Sequence, residues 1–352
     1  IDKPVDIRKG EELDLKKIDE FLKDNIPGLK GDISIQQFPS GHSNLTYFVK
    51  VGERELVLRK PPAGKKAKTA HDMSREYNIL TALKDVFPYV PEPIIYSDDT
   101  SIVGSSFYVM ERLEGLILRK DLPENFPLKE GDVTALCRKL VDVLSDLHAI
   151  DYKAIGLVNF GKPEGYVRRQ VEGWSRRYRD AKTDDAPDFE VVMAWLHDKR
   201  PPDSPTASII HNDFKFDNVV LNPANPVEIT GVLDWEMATI GDPLMDLGGT
   251  LAYWTNRDDP EEQQLMRMLP TTAPGMMTRK EVLAYYVEKT ARQIECIDFY
   301  YCFGLFKLAV IAQQIYYRFY HGQTTDERFR MLVFAVQILE RTAMRVIESS
   351  DL

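Results

Sequence analysis

The sequence predicts an α+β fold in two lobes, a small β-rich N-terminal lobe at 1–114 and a large, mainly helical C-terminal lobe at 115–352. Three observations predict it. At 352 residues the chain exceeds one typical hydrophobic core, so two units are expected. Short alternating apolar runs fill the chain up to Gly115, and helical periodicity dominates after it. Between 211 and 246, acidic and amide side chains recur at fixed spacings around short β-branched runs, which marks a functional segment carried on loops and a hairpin.

Taken in order, Leu15, Ile18, Phe21 and Leu22 fall at helical spacing within 11–24, a helix that packs on a sheet. Pro27 and Gly28 end it. Ile33 to Phe38 and Thr46 to Val51 read as two strands joined by the small-residue loop Pro39 to Leu45. Glu55 to Lys60 is a third strand, on which Val57 and Arg59 share one face and Lys60 points to the other. The basic run 61–68 reads as solvated loop. His71 to Lys84 is a helix with Met73, Tyr77, Leu80 and Leu83 on one face, and it carries Glu76. Ile94 to Tyr96 and Phe107 to Met110 are strands, after which Glu111 to Gly115 leaves the sheet.

In the second lobe, Val133 to His148 is amphipathic, and 164–180 and 188–199 suggest two more helices. Val219 to Leu221 and Glu228 to Leu233 pair as a hairpin. Helices are expected at 244–254, 279–294, 297–320 and 325–348. The longest apolar run, Phe299 to Val310, is broken by Lys307 and reads as a buried helix rather than a membrane span. A net charge of −10 argues against a nucleic-acid or anionic-membrane partner. Cys137, Cys296 and Cys302 have no metal-like spacing, and so sparse a set suits a reducing cytoplasm. The charged stretch from Asp2 to Lys17 is unlike a signal peptide. The expected localisation is cytoplasmic, as a monomer or homodimer.

The functional segment has the pattern His211-x-Asp213-x-x-x-x-Asn218, and Asp234 follows at the end of Gly231-Val232-Leu233. This is the layout of a kinase catalytic loop followed by a metal-binding Asp. Phosphoryl transfer from ATP needs positioned oxygens for Mg²⁺ and an acceptor beside the attacking hydroxyl. Asp213 is assigned as the base. Asn218 and Asp234 are assigned to Mg²⁺, which takes oxygen ligands and only one or two protein carboxylates. Lys215 reaches towards the transferring phosphate, His211 braces the loop, and Asp242 and Asp246 bond its backbone N–H groups. Upstream, the hairpin loop Gly41, His42, Ser43 and Asn44 would lay backbone N–H groups over the phosphates. Arg59 is preferred to Lys60 as the phosphate-binding cation, and Glu76 is its ion-pair partner.

Asn212-Asp213 to Asn218, Asp234-Trp235-Glu236 and Gly241-Asp242-Pro243 to Asp246-Leu247 resemble the aminoglycoside phosphotransferase and choline kinase-like family, within the protein-kinase-like fold. Within it they look more like the kinase-like domains fused to some acyl-CoA dehydrogenases. Gly41, Ser43, Asn44, Thr46 and Tyr47 match the family's Gly-x-Ser-Asn-x-Thr-Tyr loop. The likeness runs from about Gln36 to Gln337. It implies that Glu111 and Leu113 bond the adenine edge through their backbone and that Met110 lines its pocket. It also implies a small-molecule hydroxyl acceptor, either a hydroxylated acyl compound or its CoA thioester. The wider family's name implies an aminoglycoside, with which the acidic charge is compatible. A catalytically silent nucleotide-binding module is the rival from another class. The hairpin loop's missing glycines support it and the intact Asp213, Asn218 and Asp234 oppose it.

Overall fold

The structure is a computed structural model, and it describes residues 3–39, 44–62, 72–123, 126 and 128–352. In chain order the strands are β1 (Ile33–Gln37), β2 (Leu45–Val51), β3 (Arg54–Lys60), β4 (Pro93–Ser97), β5 (Phe107–Glu111), β6 (Ser208–Ile210), β7 (Val219–Asn222), β8 (Asn225–Val232) and β9 (Thr239–Gly241). The helices are α1 (Leu15–Asn25), α2 (Met73–Leu83), α3 (Thr100–Val103), α4 (Glu130–Ala149), α5 (Tyr166–Ala181), α6 (Glu190–Asp198), α7 (Pro243–Ala252), α8 (Glu261–Leu265), α9 (Arg279–Thr290), α10 (Ile297–Tyr320) and α11 (Leu332–Ser349). The chain forms two compact units. The first comprises 1–117, 155–157 and 218–238, and the second 118–154, 158–217 and 239–352.

The first unit is built on an antiparallel five-stranded sheet of order β1-β2-β3-β5-β4. Ile18 and Leu22 of α1 bury against Tyr47, Val49, Leu58 and Val109, which places the core on one side of the sheet. The register sets Arg59 opposite Thr46 on β2 and Tyr108 on β5, in the interior of the sheet. Helix α2 starts where the Asp72 carboxylate accepts from Ser74 N and Arg75 N, an ordinary N-cap. Met73, Leu80 and Leu83 of the expected face are buried, but Glu76 and Ile79 join them while Tyr77 is only half-buried. The difference has a physical cause: Glu76 turns inward because Arg59 supplies its counter-charge. The segment after β5 pairs through Leu116 with Leu221, which draws the β7–β8 hairpin into this unit. A Cβ at Gly115 would run into Val220 and the Leu221 carbonyl, so this close approach requires glycine.

The second unit packs around α10. Helix α7 crosses α10 at Gly248 and Gly304, where a Cβ on either residue would strike backbone of the other helix. That approach lets the Tyr300 hydroxyl reach the Asp242 carboxylate at 3.0 Å. Strands β6 and β9, each three residues long, pair antiparallel and frame the segment that leads into Asp213. Helix α9 stops at Thr290 because Ala291 is left-handed (φ 53°), earlier than its pattern suggested. A 3-10 turn, Glu327–Met331, precedes α11, so the last helix begins later than expected. Among the described residues no helix is long and apolar enough to cross a membrane.

Candidate active site

The first unit carries a buried charge cluster. Arg59 Nη1 donates to Glu76 Oε1 at 2.5 Å, and Nη2 donates to Asp234 Oδ1 at 3.1 Å, with Glu236 Oε2 at 3.7 Å. Arg59 is only 8% exposed, and its Nε is buried with no partner among the described residues, so the guanidinium has a donor unspent there. Burial pushes the Glu76 carboxyl up and Arg59 pulls it back, while the carboxylates around Arg59 keep it a cation against the cost of burial. Lys60 is elsewhere: its Nζ donates to the Val103 carbonyl at 2.5 Å. Asn44 Nδ2 donates to Glu236 Oε2 at 2.7 Å, a contact across 192 residues of sequence. Gly41, His42 and Ser43 lie outside the described residues, as does 63–68 of the basic run.

The hairpin positions the two metal candidates. Val219 pairs with Val232, and Leu233 N donates to the Asn218 carbonyl at 2.8 Å. Asn218 and Asp234 therefore stand at the open end of one ladder. Asp234 is left-handed (φ 66°), and so is Asn212 (φ 67°), the residue before Asp213. Asn and Asp tolerate this region better than other L-residues, and such outliers cluster where chemistry is done. Trp235 anchors the Asp234 turn, with its indole N–H on the Val232 carbonyl and its ring against Phe87.

The donor set fits Mg²⁺: an amide oxygen and one carboxylate, with Glu236 nearby. The Asp234 side chain is 37% exposed where Glu76, on the same arginine, is 2% exposed. One carboxylate is thus presented outward and the other serves the arginine. Met110 is buried at the end of β5. Glu111 N is already spent on the Glu92 carbonyl (2.9 Å), so a purine edge would find the Glu111 carbonyl rather than its N–H. Leu113 packs against Gly231, where a Cβ would strike its side chain.

The second unit carries Asp213. Asp246, 1% exposed, accepts from His211 N (2.7 Å) and Asn212 N (2.7 Å) and faces His148 Nε2 (3.2 Å). His148 Nδ1 meets the Tyr286 hydroxyl at 2.7 Å, which makes His148 a structural residue. Asp213 N donates to His211 Nδ1 at 3.3 Å. The Tyr166 hydroxyl reaches Asn212 Oδ1 at 3.3 Å, and Lys307 Nζ donates to the Asn212 carbonyl at 2.7 Å. The loop is held from four sides, and Asp213 is its outcome.

Lys215 Nζ donates to Asp213 Oδ2 at 2.9 Å, lies 3.6 Å from Asp217 and sits over the Tyr253 ring. Burial opposes its charge, yet Tyr253 and the two carboxylates raise its pKa overall. The Tyr253 hydroxyl also hydrogen-bonds Asp213. Glu236, Tyr253 and Lys307 received no functional role from sequence reading. Glu236 was visible two residues after Asp234, and Lys307 was the one charge in the apolar run Phe299 to Val310. Tyr253 left no signal.

Burial pushes the Asp246 carboxyl up, but His148, His211 and the N–H donors more than offset it, so it stays below the usual carboxylate range. A depressed folded pKa contributes stability that is complete above the unfolded value, about 3.9, and is lost as pH falls through the folded value. We expect the melting temperature to fall on acidification below about pH 4. In Asp246→Asn the neutral-pH melting temperature should drop, since one buried N–H loses its acceptor at a cost of about 1–3 kcal/mol, and the acid slope should flatten. An unchanged acid profile in that variant would contradict the role.

Residues 34–268 match the model of the phosphotransferase enzyme family (APH). The chain belongs to this family. Over 97% of its length it is 31% identical to acyl-CoA dehydrogenase family member 11 of Rattus norvegicus, the branch that its motifs resemble. The match occupies 44% of that protein, so the chain spans less than half the length of this relative. A candidate aminoglycoside phosphotransferase from Ralstonia eutropha superposes with a TM-score of 0.82 at 26% identity, covering 97% of this chain and 100% of that one. Choline kinase from Cryptosporidium parvum superposes with a TM-score of 0.66 at 13% identity, covering 95% and 96%. The fold is protein-kinase-like, with a small antiparallel sheet unit and a helical unit.

Proposed function

We propose that this phosphotransferase moves the terminal phosphoryl group of ATP, as its Mg²⁺ complex, to the hydroxyl of a small-molecule acceptor. One observation supports the reading: Leu233 N donates to the Asn218 carbonyl at the open end of the β7–β8 ladder, so Asn218 and Asp234 belong to one end of one hairpin, and Asn218 follows Asp213 by five residues of sequence. Asn218 and Asp234 would hold Mg²⁺, with Glu236 beside them. The bound metal supplies neutralisation of the phosphate oxygens as charge develops on them. Asp213 accepts the acceptor hydroxyl's proton. Lys215 keeps that carboxylate in place and puts positive charge beside the reacting oxygen. Arg59, fixed by Glu76, turns its remaining donors to phosphate. Glu236 holds Asn44, the residue before β2. Met110 and Leu113 line the purine site, and the Glu111 carbonyl accepts from its amino group.

The relative's name, acyl-CoA dehydrogenase family member 11, favours a hydroxylated acyl acceptor, free or as its CoA thioester, over an aminoglycoside. The test is thermal unfolding with ATP, with and without Mg²⁺. A ligand that binds only the native state raises the midpoint by mass action. The expected result is a rise that needs the metal and is lost in Asp234→Asn. No rise at millimolar ATP and Mg²⁺ would overturn the reading.

A further inference from the structure

The charge that breaks the apolar run of α10 makes no ion pair among the described residues. Lys307 Nζ spends one N–H on the Asn212 carbonyl, next to Asp213, and sits 5.7 Å from the Trp174 ring centre. An ammonium has three N–H donors. Among the described residues no carboxylate lies within 4.0 Å of it. The guanidinium of Arg177 lies over the same indole, 4.6 Å from its centre, and makes no ion pair among the described residues either. Lys215 differs, since Asp213 and Asp217 neutralise it. Burial lowers the Lys307 pKa, with Lys215 and Arg177 adding to the effect against the pull of Asp213 and Asp246. Its side chain is nonetheless partly exposed, so the ammonium is within reach of a ligand.

Two cations sharing one indole repel each other, and desolvating a cation without a partner is costly. An anion between them removes both costs. We propose that the acceptor carries an anionic group beside its hydroxyl, that Lys307 receives this group with Arg177 in support, and that Lys307 thereby sets acceptor specificity. The anion and the hydroxyl at Asp213 are then addressed by neighbouring residues of one unit. A polycationic aminoglycoside would meet like charge there. The inference rests on the phosphotransfer reading, because it takes Asp213 as the place where the hydroxyl sits.

The experiment uses protein saturated with ATP and Mg²⁺, so that loss of nucleotide binding is seen separately from loss of acceptor binding. The probes are glycolate, lactate and longer ω-hydroxy acids, with glycerol phosphate as a second kind of anion. Their controls are the corresponding amides, amino alcohols and kanamycin. In the wild type, at least one hydroxylated anion should raise the melting temperature more than its neutral and cationic analogues. A response to glycerol phosphate alone makes the anion a phosphate, and a response to the hydroxy acids makes it a carboxylate. Lys307→Met should keep the nucleotide-dependent shift and weaken binding of the anion by about ten- to a hundredfold, the loss expected for one hydrogen bond to a charged group. Lys307→Arg should restore the preference, and serves as the test if the Met variant fails to fold. The proposal is overturned if amides or amines match the anions in the wild type, if no anion responds, or if the Met variant keeps the preference.

Discussion

Asp213→Asn is expected to lower kcat by roughly 10²–10⁴, the usual contribution of a positioned general base, with little change in nucleotide affinity. The reason lies in how the loop is held. Asp246 takes both preceding N–H groups, Lys307 takes the Asn212 carbonyl, and His211 takes Asp213 N. An amide in place of the carboxylate disturbs none of these backbone contacts, so the loop keeps its shape while the proton acceptor is gone. Lys215 loses one carboxylate partner and keeps Asp217. Steady-state kinetics with a competent acceptor checks this, and wild-type turnover in the variant would remove Asp213 from the mechanism.

Arg59→Met is expected to cost about 3–5 kcal/mol of stability, as when a buried ion pair loses one partner, and to abolish the Mg²⁺·ATP-dependent thermal shift. Glu76 is 2% exposed and would be left without its cation beside Asp234 and Glu236. A carboxyl raised by burial is stable when protonated, so the gap to wild type should be widest at neutral pH and narrow as pH falls. Lys60→Met should leave the thermal shift nearly intact, because that ammonium is tied to the Val103 carbonyl. Denaturant and thermal unfolding across pH measure both. A larger defect at Lys60 than at Arg59 would reverse the assignment of the phosphate-binding cation.

What the sequence made legible was local. Asn218 and Asp234 are linked by one hairpin, so their spacing encodes the pairing directly. Helix α10 was readable over its whole length because 24 residues carry a sustained pattern. Arg59 was separable from Lys60 because strand alternation sends the two to opposite faces. The burial of Glu76 was less legible: helical periodicity alone chose Tyr77, and the inward turn of a carboxylate depends on a cation 17 residues away. Strands β6 and β9 are too short to signal themselves, and they exist through each other. The contacts of Glu236 with Asn44 and of Lys307 with Asn212 join residues 192 and 95 apart. Such pairings are set by tertiary register, which leaves no period in the sequence.

The central claim is phosphoryl transfer to an acceptor hydroxyl, and phosphorus NMR of ATP, Mg²⁺ and hydroxylated acceptors incubated with the protein tests it most directly. The result expected from the proposed reaction is a new phosphomonoester resonance that grows with ADP, needs Mg²⁺ and an acceptor, and is absent with Asp213→Asn. ATP that binds with Mg²⁺ yet yields no phosphomonoester on any hydroxylated acceptor would contradict the claim and leave a nucleotide-binding module in its place.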